Sequence, residues 1–91
     1  MEYPLVILPL AKRDLEALDI GLRARILGRR EWLAKNADQI AHHRLQNIPL
    51  DLSGLCRFRV GDYRVLYWKN EQPPSLRVHR ICHRSVAYRQ L

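Results

Sequence analysis

The spacing of apolar and polar residues divides the first half of the chain into one strand and two helices. Residues 3–8 are rich in Val, Ile and Leu and are closed by Pro9, which predicts a strand. From Ala11 onward the apolar residues recur at steps of three and four. This period predicts helices over residues 11–18 and 20–35, which share one apolar face. Such a pair of helices needs a sheet to cover that face.

The second half of the chain supplies the sheet. Residues 56–60 and 63–69 alternate apolar and polar positions and flank Gly61-Asp62. A glycine at the first of two central positions predicts a hairpin with a type II′ turn. A third strand is predicted over residues 75–83, a helical turn over 38–44 and a short helical tail over 84–91. The order predicts an α+β fold, with an N-terminal strand and an α-hairpin packed on a small twisted, mainly antiparallel sheet in a single domain, 1–91.

The alternation also brings arginines onto one face of this sheet. Arg57 and Arg59 point away from the apolar set of their strand, and Arg64 does the same in the next strand. The last strand adds Arg77 and His79 by the same count. Polar residues on the open face of an antiparallel sheet are ordinarily solvated. Alternation alone therefore leaves two interpretations open, a solvated face or a face that binds a polyanion.

The charge favours an anionic partner without choosing among nucleic acid, an acidic protein and a membrane surface. Sixteen Lys and Arg face nine Asp and Glu, a net charge of +7. No stretch approaches the roughly 18 apolar residues of a membrane span. Two cysteines, Cys56 and Cys82, make no disulfide framework, which is typical of a cytoplasmic protein. The sequence contains no convincing carboxylate cluster for a metal, so neither a metal nor another cofactor is expected.

Two stretches carry a resemblance to a known family. GLCRFRVGDYRVLYW at residues 54–68 and LRVHRICHRSVAYR at residues 76–89 resemble the second half of RelE/ParE superfamily toxins from type II toxin–antitoxin modules. The first half is similar in layout only. The resemblance implies the RelE-like microbial RNase type of fold. It also implies one of two activities, because RelE-like toxins are ribosome-dependent mRNA endoribonucleases and ParE-like toxins inhibit DNA gyrase.

The RelE-like reading implies roles for individual residues. Arg64 matches the arginine that contacts the scissile phosphate, and Arg84 matches a second arginine that stabilises charge. His83 or Tyr88 matches the position of the general base, which takes the proton from the ribose 2′-OH. The products would be a 2′,3′-cyclic phosphate and a 5′-OH end, with no metal required. Further RNA contacts are predicted at four arginines and one tryptophan: Arg44, Arg57, Arg59, Arg77 and Trp68.

The resemblance implies a cognate antitoxin as partner, the ribosome and mRNA as targets, and a cytoplasmic protein that is monomeric apart from the antitoxin complex. The sequence departs from the family pattern at Cys82, where members usually have a Gly before the His-Arg pair, and in one longer segment. Residues 48–54 carry Asp51 and no lysine where members have a stretch like PLKG, and Arg44 and the His42-His43 pair are the nearest substitutes. Two alternatives therefore stay open, a ParE-like gyrase inhibitor without nuclease activity and a decayed RNA-binding homologue.

Overall fold

The computed structural model describes residues 3–87, and it contains the two long helices and the four strands that the sequence predicts. In chain order they are β1 (Leu5–Ile7), α1 (Pro9–Glu16), α2 (Ile20–Asn36), β2 (His43–Arg44), β3 (Cys56–Val60), β4 (Tyr63–Glu71) and β5 (Pro74–His83). Two predictions are wrong, each in part. The helical tail predicted over 84–91 is a turn at residues 84–87, and the remainder of it lies outside the described residues. Residues 37–39 form a turn, but His43–Arg44 is a short strand and not part of a helical turn over 38–44. Neither helix in the described range is long and apolar enough to cross a membrane.

The five strands form one sheet in the order β1-β5-β4-β3-β2. β1 runs parallel to β5, whereas the other three pairs of neighbours are antiparallel. The α-hairpin connects β1 to the far edge strand β2, so the helices lie against the sheet. The predicted α+β architecture with a mainly antiparallel sheet is confirmed.

The main core lies between the two helices and one face of the sheet. Leu15, Ile26 and Leu33 of the helices are buried together with Val65 and Tyr67 of β4. These helix residues belong to the apolar series that predicted the α-hairpin. The period of three and four therefore identified the buried face correctly, because it brings every one of these side chains to the same side of its helix.

The opposite face of the sheet is partly covered as well. Leu55, Leu66, Cys82 and Ala87 form a second buried cluster, and the loop before β3 and the residues after β5 pack over it. Trp68 lies half-buried against this second cluster. The face that the sequence presents as open is thus apolar over part of β4 and β5, and its arginines lie beside that apolar area.

Side chains close the junction between the two helices. The Asp19 carboxylate accepts a hydrogen bond from the Leu22 backbone N–H at 2.8 Å, which caps the start of α2. The Arg23 guanidinium donates to the backbone carbonyls of Leu15, Glu16 and Leu18 at 3.0 to 3.2 Å. These carbonyls lie at the end of α1, where the last carbonyls of a helix need partners from outside its own ladder. Arg23 therefore fastens α2 to the end of α1.

Asp14 fastens α1 to the sheet. β1 is only three residues long, so it pairs with β5 no further than Val78. Just beyond that point the Asp14 carboxylate accepts from the Ile81 backbone N–H at 2.8 Å and from Arg80 Nε at 2.9 Å. This carboxylate raises the pKa of Arg80, since the hydrogen bond favours the charged guanidinium. The Asp14 side chain thus accepts a backbone hydrogen bond at the edge of β5 that a longer β1 strand would otherwise accept.

The β3–β4 hairpin turns over two residues, as predicted. Val60 pairs with Tyr63, and Gly61 has a φ of 58°. A positive φ at the first central position is the condition of a type II′ turn, and glycine meets it without strain. The turn sets which residues of β3 and β4 oppose each other.

We expect Asp14→Ala to lower the free energy of unfolding by about 2 kcal/mol, because it removes charge-assisted hydrogen bonds and leaves the half-buried Arg80 without its carboxylate partner. Glu16→Ala, at an exposed position of the same helix, is the control and should change stability by less than about 0.5 kcal/mol. Urea denaturation of the two variants measures both values. Equal effects would contradict the fastening role of Asp14.

Two glycines should respond to alanine with opposite signs. Gly61→Ala should destabilise the protein by about 1 kcal/mol, since its positive φ is strained for any residue with a Cβ. Gly28→Ala should stabilise it by about 0.5–1 kcal/mol, because Gly28 lies inside α2 and a Cβ there meets no atom within 4 Å. Thermal unfolding followed by circular dichroism tests the pair, and a shift of both melting temperatures in the same direction would refute this explanation.

Candidate functional site

Three arginines and a histidine line a cleft at the β2–β3–β4 side of the sheet. His43 opposes Arg57 across β2 and β3, and Arg59 opposes Arg64 across β3 and β4. Residues directly opposite each other share a face of the sheet. The four side chains line a cleft of about 280 Å³, which we call the basic cleft, and no carboxylate is among the residues that line it. The arrangement gathers positive charge where an anion of phosphate size can enter.

The Arg64 side chain is held in place by the hairpin turn. Its Nη1 donates to the carbonyl of Gly61 at 3.1 Å and to the carbonyl of Tyr63 at 3.0 Å. An arginine carries five N–H donors, so these two bonds orient the guanidinium without exhausting it. Arg64 is also half-buried, in contrast to Arg57 and Arg59, which are exposed. The group that the sequence predicts at the phosphate is therefore oriented by two hydrogen bonds to the hairpin turn.

Two further arginines approach the same turn. The Arg84 backbone N–H donates to the Asp62 carbonyl at 2.7 Å, and its Nε lies 3.6 Å from Asp62 Oδ1. Both side chains of this ion pair are exposed, so the pair adds little stability. Arg25 of α2 lies over Gly61, where an added Cβ would be 3.0 Å from its Nη2. The turn thus brings Arg84 to the same end of the sheet as Arg64.

His83 lies on the other face of the sheet from the basic cleft. It opposes Tyr63, whose ring packs on the main core and meets the His83 ring edge-on with centroids 5.4 Å apart. Arg64 instead opposes Cys82, which belongs to the second cluster. The structure brings His83 and Arg64 to the same end of the sheet but does not place both in one cleft.

The hydrogen bonds of His83 determine which ring nitrogen carries its proton. The Ser85 backbone N–H donates to His83 Nδ1 at 3.2 Å, and Ser85 Oγ lies 2.9 Å from the same nitrogen. A backbone N–H can only donate, so Nδ1 is an acceptor and the neutral ring carries its proton on Nε2. In this tautomer Nε2 presents a donor, and the lone pair that a general base needs is engaged with Ser85.

The other predicted RNA contacts are dispersed over the molecule. Arg44 opposes Cys56, a residue of the main core, and so lies on the helix side of the sheet. Arg77 is exposed and opposes Trp68, several residues from the hairpin turn. Trp68 Nε1 donates to the Ser53 carbonyl at 3.1 Å, and its ring meets His79 with centroids 5.1 Å apart. Tyr88 lies outside the described residues. The basic cleft therefore unites Arg57, Arg59 and Arg64 from the predicted set.

The cysteines have a structural environment. Cys56 and Cys82 are both buried, and burial raises the pKa of each thiol. A protonated thiol in an apolar surrounding is a poor nucleophile. Within residues 3–87, no three His, Cys, Asp or Glu side chains converge as metal ligands do.

Two residues of this region were not predicted as site residues, His43 and Arg25. The sequence offers His43 only as one of the nearest substitutes, with Arg44 and His42, for the lysine that residues 48–54 lack. Its strand has two residues, too few for any alternation to be recognised in the sequence. Arg25 belongs to a helix whose many arginines give no sign of which one reaches the sheet.

Solved structures with a similar fold come from bacteria and archaea. A chain of the toxin–antitoxin complex RelBE2 from Mycobacterium tuberculosis matches with a TM-score of 0.79 and 23% identity over 93% of this chain and 94% of that chain. A chain of the RelE–RelB complex from Pyrococcus horikoshii OT3 matches with a TM-score of 0.70 and 22% identity, covering 96% and 100%. The isolated RelE toxin of E. coli matches with a TM-score of 0.69 and 14% identity, covering 89% and 83%. These likenesses establish the fold.

The sequence comparison establishes the family. No curated protein matched the sequence. A family model described as the ParE toxin of type II toxin–antitoxin system parDE matches residues 5–88, nearly the whole chain. The match includes both strands of the Gly61 hairpin and the arginines of the basic cleft. With the RelE-like fold and the family match in agreement on the superfamily, the chain belongs to the ParE toxin family of type II toxin–antitoxin systems.

Proposed function

We propose that this toxin is a metal-independent, ribosome-dependent endoribonuclease that cuts mRNA and so inhibits translation. The observation that carries the proposal is the basic cleft, in which Arg57, Arg59 and Arg64 converge with His43. Guanidinium groups stabilise the charge that develops on phosphoryl oxygens, and an imidazole moves protons near neutral pH. The cleft therefore offers the two chemical functions that cleavage by a ribose 2′-OH requires.

In this mechanism the 2′-oxygen attacks the adjacent phosphorus while a base takes its proton. Arg64, oriented by the turn carbonyls, binds a non-bridging oxygen of the phosphate, and Arg59 opposite it binds the other. The bond from phosphorus to the 5′-oxygen then breaks, and the leaving oxygen takes up a proton from water. The products are a 2′,3′-cyclic phosphate and a 5′-OH end. Arg84, exposed beside the turn, contacts a neighbouring phosphate.

We assign the general base to His43, because it is the imidazole that lines the cleft with the arginines. His83 is assigned a different role, as an Nε2–H donor, since Ser85 occupies its Nδ1 lone pair. Tyr88 stays a predicted base outside the described residues. Arg44, Arg77 and Trp68 stay predicted RNA contacts, although their positions on the sheet set them apart from the cleft.

The proposal includes a cognate antitoxin as partner. The M. tuberculosis and P. horikoshii structures that share the fold are toxin–antitoxin complexes. A net charge of +7 and a cleft without carboxylates favour a partner with acidic segments that cover the arginines. We further propose that residues 1–91 act as a single domain in the cytoplasm, monomeric apart from the antitoxin complex.

A second candidate function is inhibition of DNA gyrase without cleavage of RNA. The family model that matches residues 5–88 is named for ParE toxins, which favours this reading. In that case the basic cleft would serve binding alone. The nuclease requires Arg64 and His43 to act on a reacting phosphate, whereas gyrase inhibition requires no such chemistry.

We expect Arg64→Ala to slow mRNA cleavage about 10²–10³-fold in a reconstituted translation system, as the loss of one charge-stabilising group commonly does. Arg64→Lys should restore only part of the rate, because an ammonium cannot reproduce the planar fork with which the guanidinium bonds the turn carbonyls and a phosphate oxygen together. Arg13→Ala, which removes the same charge from an exposed position of α1, is the control and should cleave normally. Mapping of 5′-OH ends on the mRNA gives the rates. Intact mRNA beside a toxic wild-type protein would contradict the nuclease, and DNA supercoiling by gyrase would be assayed next.

His43→Ala and His83→Ala should separate the two imidazoles. We expect His43→Ala to lower the cleavage rate about 10²–10⁴-fold and to abolish the fall in rate at acidic pH that titration of a general base produces. His83→Ala should keep that acidic fall, because its ring is not the base in this assignment. Single-turnover cleavage between pH 5 and 9 measures both profiles. Loss of the acidic fall in His83→Ala alone would return the role of base to His83.

A further inference from the structure

An aromatic groove adjoins the basic cleft at the edge of β3. Trp32 of α2 stacks on Phe58 of β3, with ring centroids 6.0 Å apart and an angle of 19° between the planes. Arg29 lies one helical turn from Trp32, and its Cζ is 4.8 Å from the Trp32 ring centroid and 5.4 Å from that of Phe58. Trp32 remains 39% exposed, so a large aromatic surface faces solvent there. Trp32 does not line the basic cleft, so the chemistry proposed for that cleft does not explain its exposed ring.

The groove has an apolar floor and a basic rim. Ile40 and Tyr67 line it together with Trp32 and Phe58, and it encloses about 370 Å³. That volume is within the range of pockets that take small organic ligands. The charged side chains that line it are all arginines, and no carboxylate is among them. A flat aromatic ligand attached to an anion would fit both the floor and the rim.

The aromatic groove is continuous with the basic cleft. His43, Arg57 and Arg59 line both of them. Arg57 and Arg59 lie on the outer face of β3, whereas Phe58 between them packs toward the main core, so the strand edge joins the two spaces. A ligand whose phosphate lies in the cleft therefore has the groove within reach of its next planar group.

We propose that the aromatic groove binds a nucleobase of single-stranded RNA, that of a nucleotide next to the phosphate held in the basic cleft. This inference rests on the proposed nuclease function and extends it from the reacting phosphate to a base. Unpaired bases are commonly held by stacking on aromatic rings and guanidinium planes. Here Trp32 supplies the ring, Arg29 supplies the guanidinium, and Arg57 and Arg59 hold the backbone phosphate.

An acidic peptide is the rival occupant, since it too could meet arginines and an apolar floor. The paired planes favour the base. The rings of Trp32 and Phe58 are nearly parallel, and the Arg29 guanidinium lies against both of them. A planar base can add to this stack of flat groups. A peptide side chain requires a pocket of its own shape, whereas a base requires a flat surface and a cation beside it.

The test follows the two tryptophan indole N–H signals by NMR during a titration with a short 2′-O-methyl oligoribonucleotide, which cannot be cleaved. The probe is compared with the same oligonucleotide carrying one abasic position. We expect the Trp32 signal to shift and the abasic probe to bind about tenfold more weakly. The signal of Trp68, whose indole N–H is bonded to the Ser53 carbonyl on the other face of the sheet, reports a separate predicted RNA contact and should respond equally to the intact and the abasic probe.

Variants complete the test. Trp32→Ala should lose about tenfold in affinity for the intact probe and nothing for the probe abasic at the stacked position, whereas Trp32→Phe should keep most of the base-dependent binding. Arg29→Gln, at an exposed position, removes the guanidinium but leaves both stacked rings in the protein. It should likewise weaken binding of the intact probe and leave binding of the abasic probe unchanged. Equal binding of intact and abasic probes, or a shift of Trp68 in place of Trp32, would overturn the base-binding site. Displacement of an acidic peptide from Trp32 without any effect of RNA would assign the groove to a protein instead.

The outcomes for the groove and for the nuclease are separate. Base-dependent shifts of Trp32 with intact mRNA in the translation system would retain the groove and contradict the nuclease. Cleavage that proceeds equally well in wild type and Trp32→Ala, with no difference between intact and abasic probes, would retain the nuclease and contradict the groove.

Discussion

The register of β4 against its two neighbours is the constraint on which the rest of this structure depends. In a sheet, a slip by one residue moves every side chain to the opposite face. The two-residue turn at Gly61 sets the register with β3, so that Arg59 opposes Arg64 and both face the basic cleft. The pairing of β4 with β5 contains a register shift between Leu66 and Tyr67. Leu66 opposes Arg80, whereas the next residue, Tyr67, opposes Val78. His79 is the additional residue on β5.

That extra residue reverses the alternation along β5. Leu76 and Val78 face the main core before it, and Ile81 faces the same core after it. A strand without the shift would bury either the first two or the last, but not all three. The main core gains a third apolar side chain from β5, and Cys82 turns to the second cluster. The same reversal moves His83 away from the face of Arg64, which is why its chemistry has to be assigned apart from the basic cleft.

The concentration of arginines has an electrostatic cost that a ligand can relieve. Arg57, Arg59 and Arg64 share a cleft whose lining holds no acid, so each raises the potential felt by the others. Exposure of Arg57 and Arg59 to water keeps this repulsion small in the unliganded protein. A polyanion entering the cleft gains from all three at once. Under the proposed function, the same attraction acts on an RNA phosphate and on an acidic antitoxin segment, so occupation by one would exclude the other. Fold alone does not choose the reaction, since function resides in the site that a fold carries.

The sequence by itself determined the two helices, the longer strands, the fold class and the superfamily. Periods of two and of three to four residues are local properties, so the helices, the three long strands and the Gly61 turn were all predicted from neighbouring residues. It also determined that Arg57, Arg59 and Arg64 share a face, because only a short turn separates their strands. Tertiary structure alone decided the rest. The extra residue in β5 depends on packing against α1 and the main core, and it placed His83 on the other face. The two-residue strand β2 forms only because β3 lies beside it, and that pairing brought His43 into the cleft. Long-range contacts of this kind leave no periodic trace in the chain.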